Sequence, residues 1–148
     1  MIVGIVGSEA AKFTSYGEGA ARGVISEILN KPGVTEVVSG ACHLGGIDIW
    51  AVEAAKSRRL LYKEFPPLHH SWEYYKSRNL AIVERSDKIH CITVDFLPED
   101  FKGMRFELCY HCKTKDHIKS GGCWTMKQAI IRGKPGYLHI VKNVGTYE

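Results

Sequence analysis

Residues 2–7, Ile-Val-Gly-Ile-Val-Gly, form an apolar run with little alternation, the pattern of a strand buried on both faces of a parallel sheet. Gly7-Ser8 turns the chain. Over residues 19–30, Ala20, Ala21, Val24, Ile25, Ile28 and Leu29 recur at helical spacing until Asn30-Lys31-Pro32-Gly33 stops them. The unit then repeats. Residues 34–39 predict a second strand and residues 47–58 its helix, with Ile47, Trp50, Ala51, Ala54 and Ala55 facing inward. A third strand over 60–65 ends at Pro66-Pro67, Ser71 caps a helix over 72–85, and 88–94 is a fourth strand. Residues 97–103 read as a loop, and residues 105–112 have enough aromatic and apolar character for a further strand. A last helix over 121–132 closes on Gly133 and Pro135, before a strand over 137–141. This alternation predicts an α/β fold with right-handed crossovers and a mostly parallel central sheet, one domain over residues 1–148.

A chain of 148 residues, 45% hydrophobic and 24% charged, has the material for one core of its own. Its formal charge of +4 is mild and spread out, which suits an anionic ligand better than a nucleic-acid groove. The apolar run at residues 2–6 is too short to span a membrane and lacks the flanks of a signal peptide, so the expectation is a cytoplasmic protein without membrane contact. Five cysteines, an odd number, are expected to stay reduced.

The candidate chemistry lies in two glycine turns that each follow an apolar run and open a helical pattern. The first contains Gly40, Cys42, His43, Gly45, Gly46 and Asp48; the second contains Ser120, Gly121, Gly122, Cys123, Trp124 and Thr125. Glycines admit an anion close to the backbone, and the unpaired N–H groups at a helix start point at it. Two such loops on successive strand-turn-helix units gather at the carboxyl edge of a parallel sheet. Asp48 either braces its loop or meets a ligand hydroxyl, and His43 either donates to a phosphate or faces solvent. Arg78 and Asn79, with Tyr75 one turn earlier, supply a guanidinium fork for phosphate. Thr125 offers a hydroxyl and an N–H, and Trp124 either stacks on a base or packs on the sheet.

Cys109, Cys112, His117 and Cys123 have spacing that would admit zinc. A strand over 105–112 would send the side chains of alternate residues to opposite faces, and Cys123 belongs to the glycine turn, so the expectation is no metal and no cofactor. A Cys123 exposed at a helix start would instead have a lowered pKa.

The order of the Gly7-Ser8 turn, the loop from Gly40 to Asp48, Arg78-Asn79 on a helix and Gly121-Gly122-x-x-Thr125 resembles the SLOG superfamily. That group includes the cytokinin-activating LOG phosphoribohydrolases, the Smf/DprA recombination mediators and many small phage and bacterial proteins. The resemblance covers residues 1–141 and implies a Rossmann-like three-layer sandwich with nucleotides or nucleotide-derived molecules as ligands. Carried over, Gly7 and Ser8 meet a phosphate. Gly40, Gly45, Gly46 and Asp48 form a second wall, Arg78 and Asn79 reach the ribose or phosphate, and Gly121, Gly122 and Thr125 make the last cradle.

Two positions depart from the hydrolytic LOG pattern: the motif's catalytic glutamate is Gln128 here, and a loop glycine is Trp124. Glutamine neither stabilises an oxocarbenium ion by charge nor acts as a base. The leading expectation is therefore binding of a nucleoside phosphate, ADP-ribose or an NAD-related molecule. The alternative is an N-glycosidic hydrolase or ribosyl transferase acting on a nucleoside monophosphate, using Glu84, Asp48 or Asp87. Single-stranded DNA binding of the DprA kind ranks last, and a homo-oligomer is expected.

Overall fold

The computed structural model describes residues 1–144. Five strands, β1 (Ile2–Gly7), β2 (Glu36–Ser39), β3 (Leu61–Glu64), β4 (Lys88–Val94) and β5 (Gly136–Val141), form one sheet in the order β3-β2-β1-β4-β5. Every neighbouring pair is parallel. Four helices cover it: α1 (Ser15–Leu29), α2 (Ile47–Ser57), α3 (Trp72–Arg85) and α4 (Gly121–Ile131).

Alternation along the central strands builds the two cores. Val3 and Ile5 of β1, Val37 of β2, and Ile92 and Val94 of β4 pack with Ala21, Ile25 and Ile28 of α1 and Trp50, Ala51 and Ala55 of α2. On the other face Val6, Val38, Ile89 and Cys91 pack with Ile82 and Val83 of α3 and Met126 and Ala129 of α4. The result is a Rossmann-like three-layer sandwich. No helix among the described residues is long and apolar enough to cross a membrane.

Several boundaries move, each for a local reason. α1 begins at Ser15, a turn before its apolar stripe, because Thr14 caps it: the Thr14 hydroxyl accepts from the Gly17 N–H at 3.0 Å. Thr14 is itself held by Asn143, whose Oδ1 accepts from the Thr14 N–H at 3.0 Å. Ser71 sits at the start of α3, but its side chain makes no capping bond.

The largest difference is at residues 105–112, which form no strand. Cys109 and Thr114 exchange N–H···O bonds of 3.0 and 3.3 Å, closing the chain into a tight turn with Lys113 at φ 59°. Residues 95–120 thus link β4 to α4 without a strand or helix of their own, well beyond the ~12–15 residues above which such connections are uncommon in compact domains. Its far end is pinned to the sheet. The Ile118 N–H donates to the Val94 carbonyl at 2.8 Å, and the Thr93 hydroxyl donates to the Ile118 carbonyl at 2.8 Å.

Candidate functional site

In an open parallel sheet a crevice forms at the carboxyl ends of the strands where the chain order reverses, here between β1 and β4. A cleft of about 220 Å³ lies at that position, lined from β1 and the turn after it, the loop after β2, the first half of α3, and the start of α4.

The glycines act first as packing devices. A Cβ on Gly122 would lie 2.9 Å from the Gly7 nitrogen and 3.0 Å from the Gly7 Cα, so the start of α4 and the end of β1 meet backbone to backbone. Gly46, at φ +88°, stands against the Ser8–Ala10 backbone in the same way. Gly40 lies under Arg78 and Asp48, where a Cβ would come within 2.7 Å of Asp48 Oδ2. Gly40, Gly45 and Gly46 therefore shape the loop after β2 without lining the cleft, whose wall on that side is Cys42, His43, Leu44 and Asp48.

Ser8 lines the cleft with its donors already engaged. Its N–H donates to the Ile92 carbonyl at 3.1 Å and its hydroxyl pairs with the Thr93 hydroxyl at 3.0 Å. Ser120 caps α4 in place of a ligand, accepting from the Gly122 N–H at 3.0 Å on its side chain and from the Cys123 N–H at 3.0 Å on its carbonyl. Gly121 lines the cleft at the first position of α4, where a backbone N–H has no partner within the helix, and a Cβ there would meet open space. Thr125 borders the cleft, but its hydroxyl donates back to the Gly121 carbonyl at 3.2 Å.

Arg78 and Asn79 both reach the cleft from α3. The Arg78 Nη1 donates to the carbonyls of Gly40 and, at 3.5 Å, of Phe65, while its Nε is buried without a partner. The Asn79 side chain borders the cleft and is buried, 6% exposed. Asp48 is 7% exposed. Burial pushes its carboxyl up to about 6, against the pull of Arg78 and of the Cys42 N–H.

Two cations escaped the sequence reading. Lys12, from the short 3-10 turn Ala10–Lys12, and Lys119, just before the α4 cap, both line the cleft. Lys12 Nζ donates to the Lys119 carbonyl at 3.4 Å. Burial pushes the Lys12 ammonium pKa down, with Lys119 adding to the effect and Glu9 opposing it. The signal for Lys119 was its place beside the Ser120 turn; no linear pattern marks Lys12. Trp72 and Tyr75 supply aromatic faces at the mouth, and His43 stacks on His70 with centroids 3.9 Å apart.

Other expected site residues lie elsewhere. Trp124 packs edge to face on Trp72, centroids 5.4 Å apart, and does not line the cleft. Glu84 is exposed at the far end of α3, outside the cleft lining. Asp87 accepts from the Ile2 N–H at 2.7 Å, at the opposite edge of the sheet. Gln128 accepts from Arg132 at 2.8 Å, one turn further along α4 and away from the cleft.

Cys123 is fully buried, 3.8 Å from Cys91 Sγ, and both that contact and burial push its thiol pKa up, so it is no activated nucleophile. It belongs to a second group instead. The ligating atoms of Cys109, Cys112, His117 and Cys123 all lie within 4.8 Å of one another. In place of the extended strand expected over 105–112, the turn at Cys109–Thr114 brings Cys109 and Cys112 to the same side. Burial pushes the Cys109 thiol up and the Cys112 thiol up to about 12. No protein-family model matches this chain and no curated protein matches it.

Proposed function

We propose that the cleft binds a nucleotide or nucleotide-derived ligand, such as a nucleoside phosphate, ADP-ribose or an NAD-related molecule. The observation that carries this reading is the convergence of Lys12, Arg78, Lys119 and the Gly121 N–H on one cleft at the sheet's reversal point. Three cations beside a helix start favour a phosphate. The 220 Å³ volume is below the ~300–1,000 Å³ of pockets that enclose a whole drug-sized ligand. A ribose-phosphate therefore fits inside, with Asn79 and Asp48 as partners for sugar hydroxyls, and the base rests at the mouth against Trp72 and Tyr75. The resemblance to the SLOG superfamily supports the same reading.

Calorimetric titration with nucleoside mono- and diphosphates, NAD, ADP-ribose and cyclic ADP-ribose isomers tests it. Arg78→Lys keeps a cation but loses the planar fork, and should weaken binding about 10- to 100-fold, the worth of a charge-assisted pair. Wild type giving no heat with any of these ligands would refute the reading.

One observation favours a second reading. A buried carboxyl pushed up to about 6 is a candidate acid or base near neutral pH, so Asp48 would carry N-glycosidic cleavage if the protein is an enzyme. Mass spectrometry of the titrated mixtures separates the two: an intact ligand means binding alone, and a released base means cleavage.

A homo-oligomer is part of the proposal, supported by the exposed apolar side chains Ile131, Tyr137 and Ile140 along α4 and the edge strand β5. Light scattering at micromolar concentration should give at least a dimer, and a monomer removes this part.

A further inference from the structure

We propose that Cys109, Cys112, His117 and Cys123 hold a single zinc ion that fixes residues 95–120 and, through them, the α4 start that borders the cleft. This stands whether or not the cleft binds a nucleotide. Four ligating atoms within 4.8 Å of one another are close to what one ion requires. Zn–S bonds of about 2.3 Å place tetrahedral sulfurs about 3.7 Å apart, so small side-chain rotations complete the site. Three sulfurs and one imidazole nitrogen are the soft, tetrahedral set that selects zinc over calcium or magnesium.

Independent features of the surroundings point to the same ion. His117 is 1% exposed, and its Nε2 is buried without a hydrogen-bond partner. Its Nδ1 lies 2.7 Å from Asp116 Oδ1. A proton on Nδ1 donated to that carboxylate leaves the Nε2 lone pair free, the arrangement that orients a metal-ligating histidine. The Cys112 N–H donates to Cys109 Sγ at 3.4 Å, a bond that stabilises a thiolate.

The connectivity explains why an ion belongs there. Cys109 and Cys112 sit in the tight turn, His117 next to the Ile118 anchor on β4, and Cys123 in the first turn of α4. A long connection without regular structure is thus tied at three points, two of them flanking Lys119 and Ser120. On binding, Zn²⁺ displaces the three thiol protons to solvent, and no electron changes hands.

The test is metal analysis of protein expressed without added metal and purified without a metal-affinity column, followed by cobalt exchange. One zinc per chain is expected. Cobalt should give the visible bands of a tetrahedral site together with thiolate charge-transfer absorption. Cys112→Ser and His117→Asn should each lose the bound metal or alter the cobalt spectrum, while Cys42→Ser, a thiol outside the cluster, should change neither. If the ligand variants do not fold, the wild-type stoichiometry and cobalt spectrum decide. A reduced, folded wild type that carries no zinc and gives no thiolate band with cobalt overturns the proposal, as does Cys112→Ser with full zinc and an unchanged spectrum.

Discussion

Gly46→Ala should cost about 3 kcal/mol or more of folding stability, a large effect for adding one methyl group. Two terms add. Gly46 has φ 88° and ψ −144°, a region open essentially to glycine, where another residue pays about 1–3 kcal/mol. Its new Cβ would also lie 2.6 Å from both the Ala10 nitrogen and the Glu9 carbonyl carbon, atoms that a rotamer change cannot move. Overpacking of this kind costs about 1–3 kcal/mol more.

Gly33 is the control, because its φ of +89° is nearly the same while a Cβ there meets open space. Gly33→Ala should cost about 1–2 kcal/mol, the cost of a positive φ without a steric clash. Urea unfolding of the two variants measures the difference, read as a shifted midpoint at constant slope. Melting should fall by about 6–12 °C in Gly46→Ala, on the scale of a chain this size. Equal losses in the two variants would mean that the loop after β2 does not press against the Ser8–Ala10 turn.

Asp48→Asn should do the reverse and stabilise the protein at pH 8. The Asp48 carboxyl is pushed up to about 6 from 3.8, so the folded chain binds its proton more tightly than the unfolded chain does. Its contribution to stability is whole below pH 4 and is lost as pH rises towards 6. Above that, wild type carries a penalty of about 3 kcal/mol, at 1.36 kcal/mol per unit.

Asparagine has no proton to lose and escapes the penalty. The difference in unfolding free energy between variant and wild type should therefore be flat in acid, grow between pH 4 and 6, and level off above. Taking the difference matters because His90, pushed down to about 3 by burial and by His139, acts with the opposite sign. Its contribution is present above pH 6.5 and is lost as pH falls, equally in both proteins. If Asp48 meets a ligand hydroxyl as proposed, the stabilised variant should also bind less tightly, the exchange common at binding sites. A pH-independent difference, or a variant less stable than wild type at pH 8, would show that the carboxyl is not held in a desolvated site.

The elements most legible in the sequence were those with strong periodicity and clear stops. The helix over 72–85 and the strand over 88–94 match the structure residue for residue, since an apolar stripe ending before a buried run leaves one solution. The segment over 105–112 misled because aromatic and apolar character belongs to any buried chain. Phe106 and Cys109 are packed in the cores without pairing to the sheet.

At the cleft, Arg78 and Asn79 were readable from their order along the chain, as was Asp48 from its place after Gly46. Ser8, Ser120 and Thr125 were readable as neighbours of the site, but not in what their hydroxyls do. Each has a bond within the protein, and competition between backbone and ligand for a hydroxyl is settled only in three dimensions. Cys123 follows the same logic in a helix: one residue past Gly122, its side chain turns from the cleft into the core.

By itself, the sequence determined the α/β alternation, the parallel sheet and the placing of glycine turns at its carboxyl edge, because periodicity and turn chemistry act over a few residues. Tertiary structure alone decided that Lys12 joins Lys119 and Arg78 across the cleft, that Glu84 stands outside it, and that Cys109, Cys112, His117 and Cys123 meet. Those outcomes depend on how strands are ordered and how a long connection folds back. Contacts between residues far apart in the chain leave no periodic trace in it.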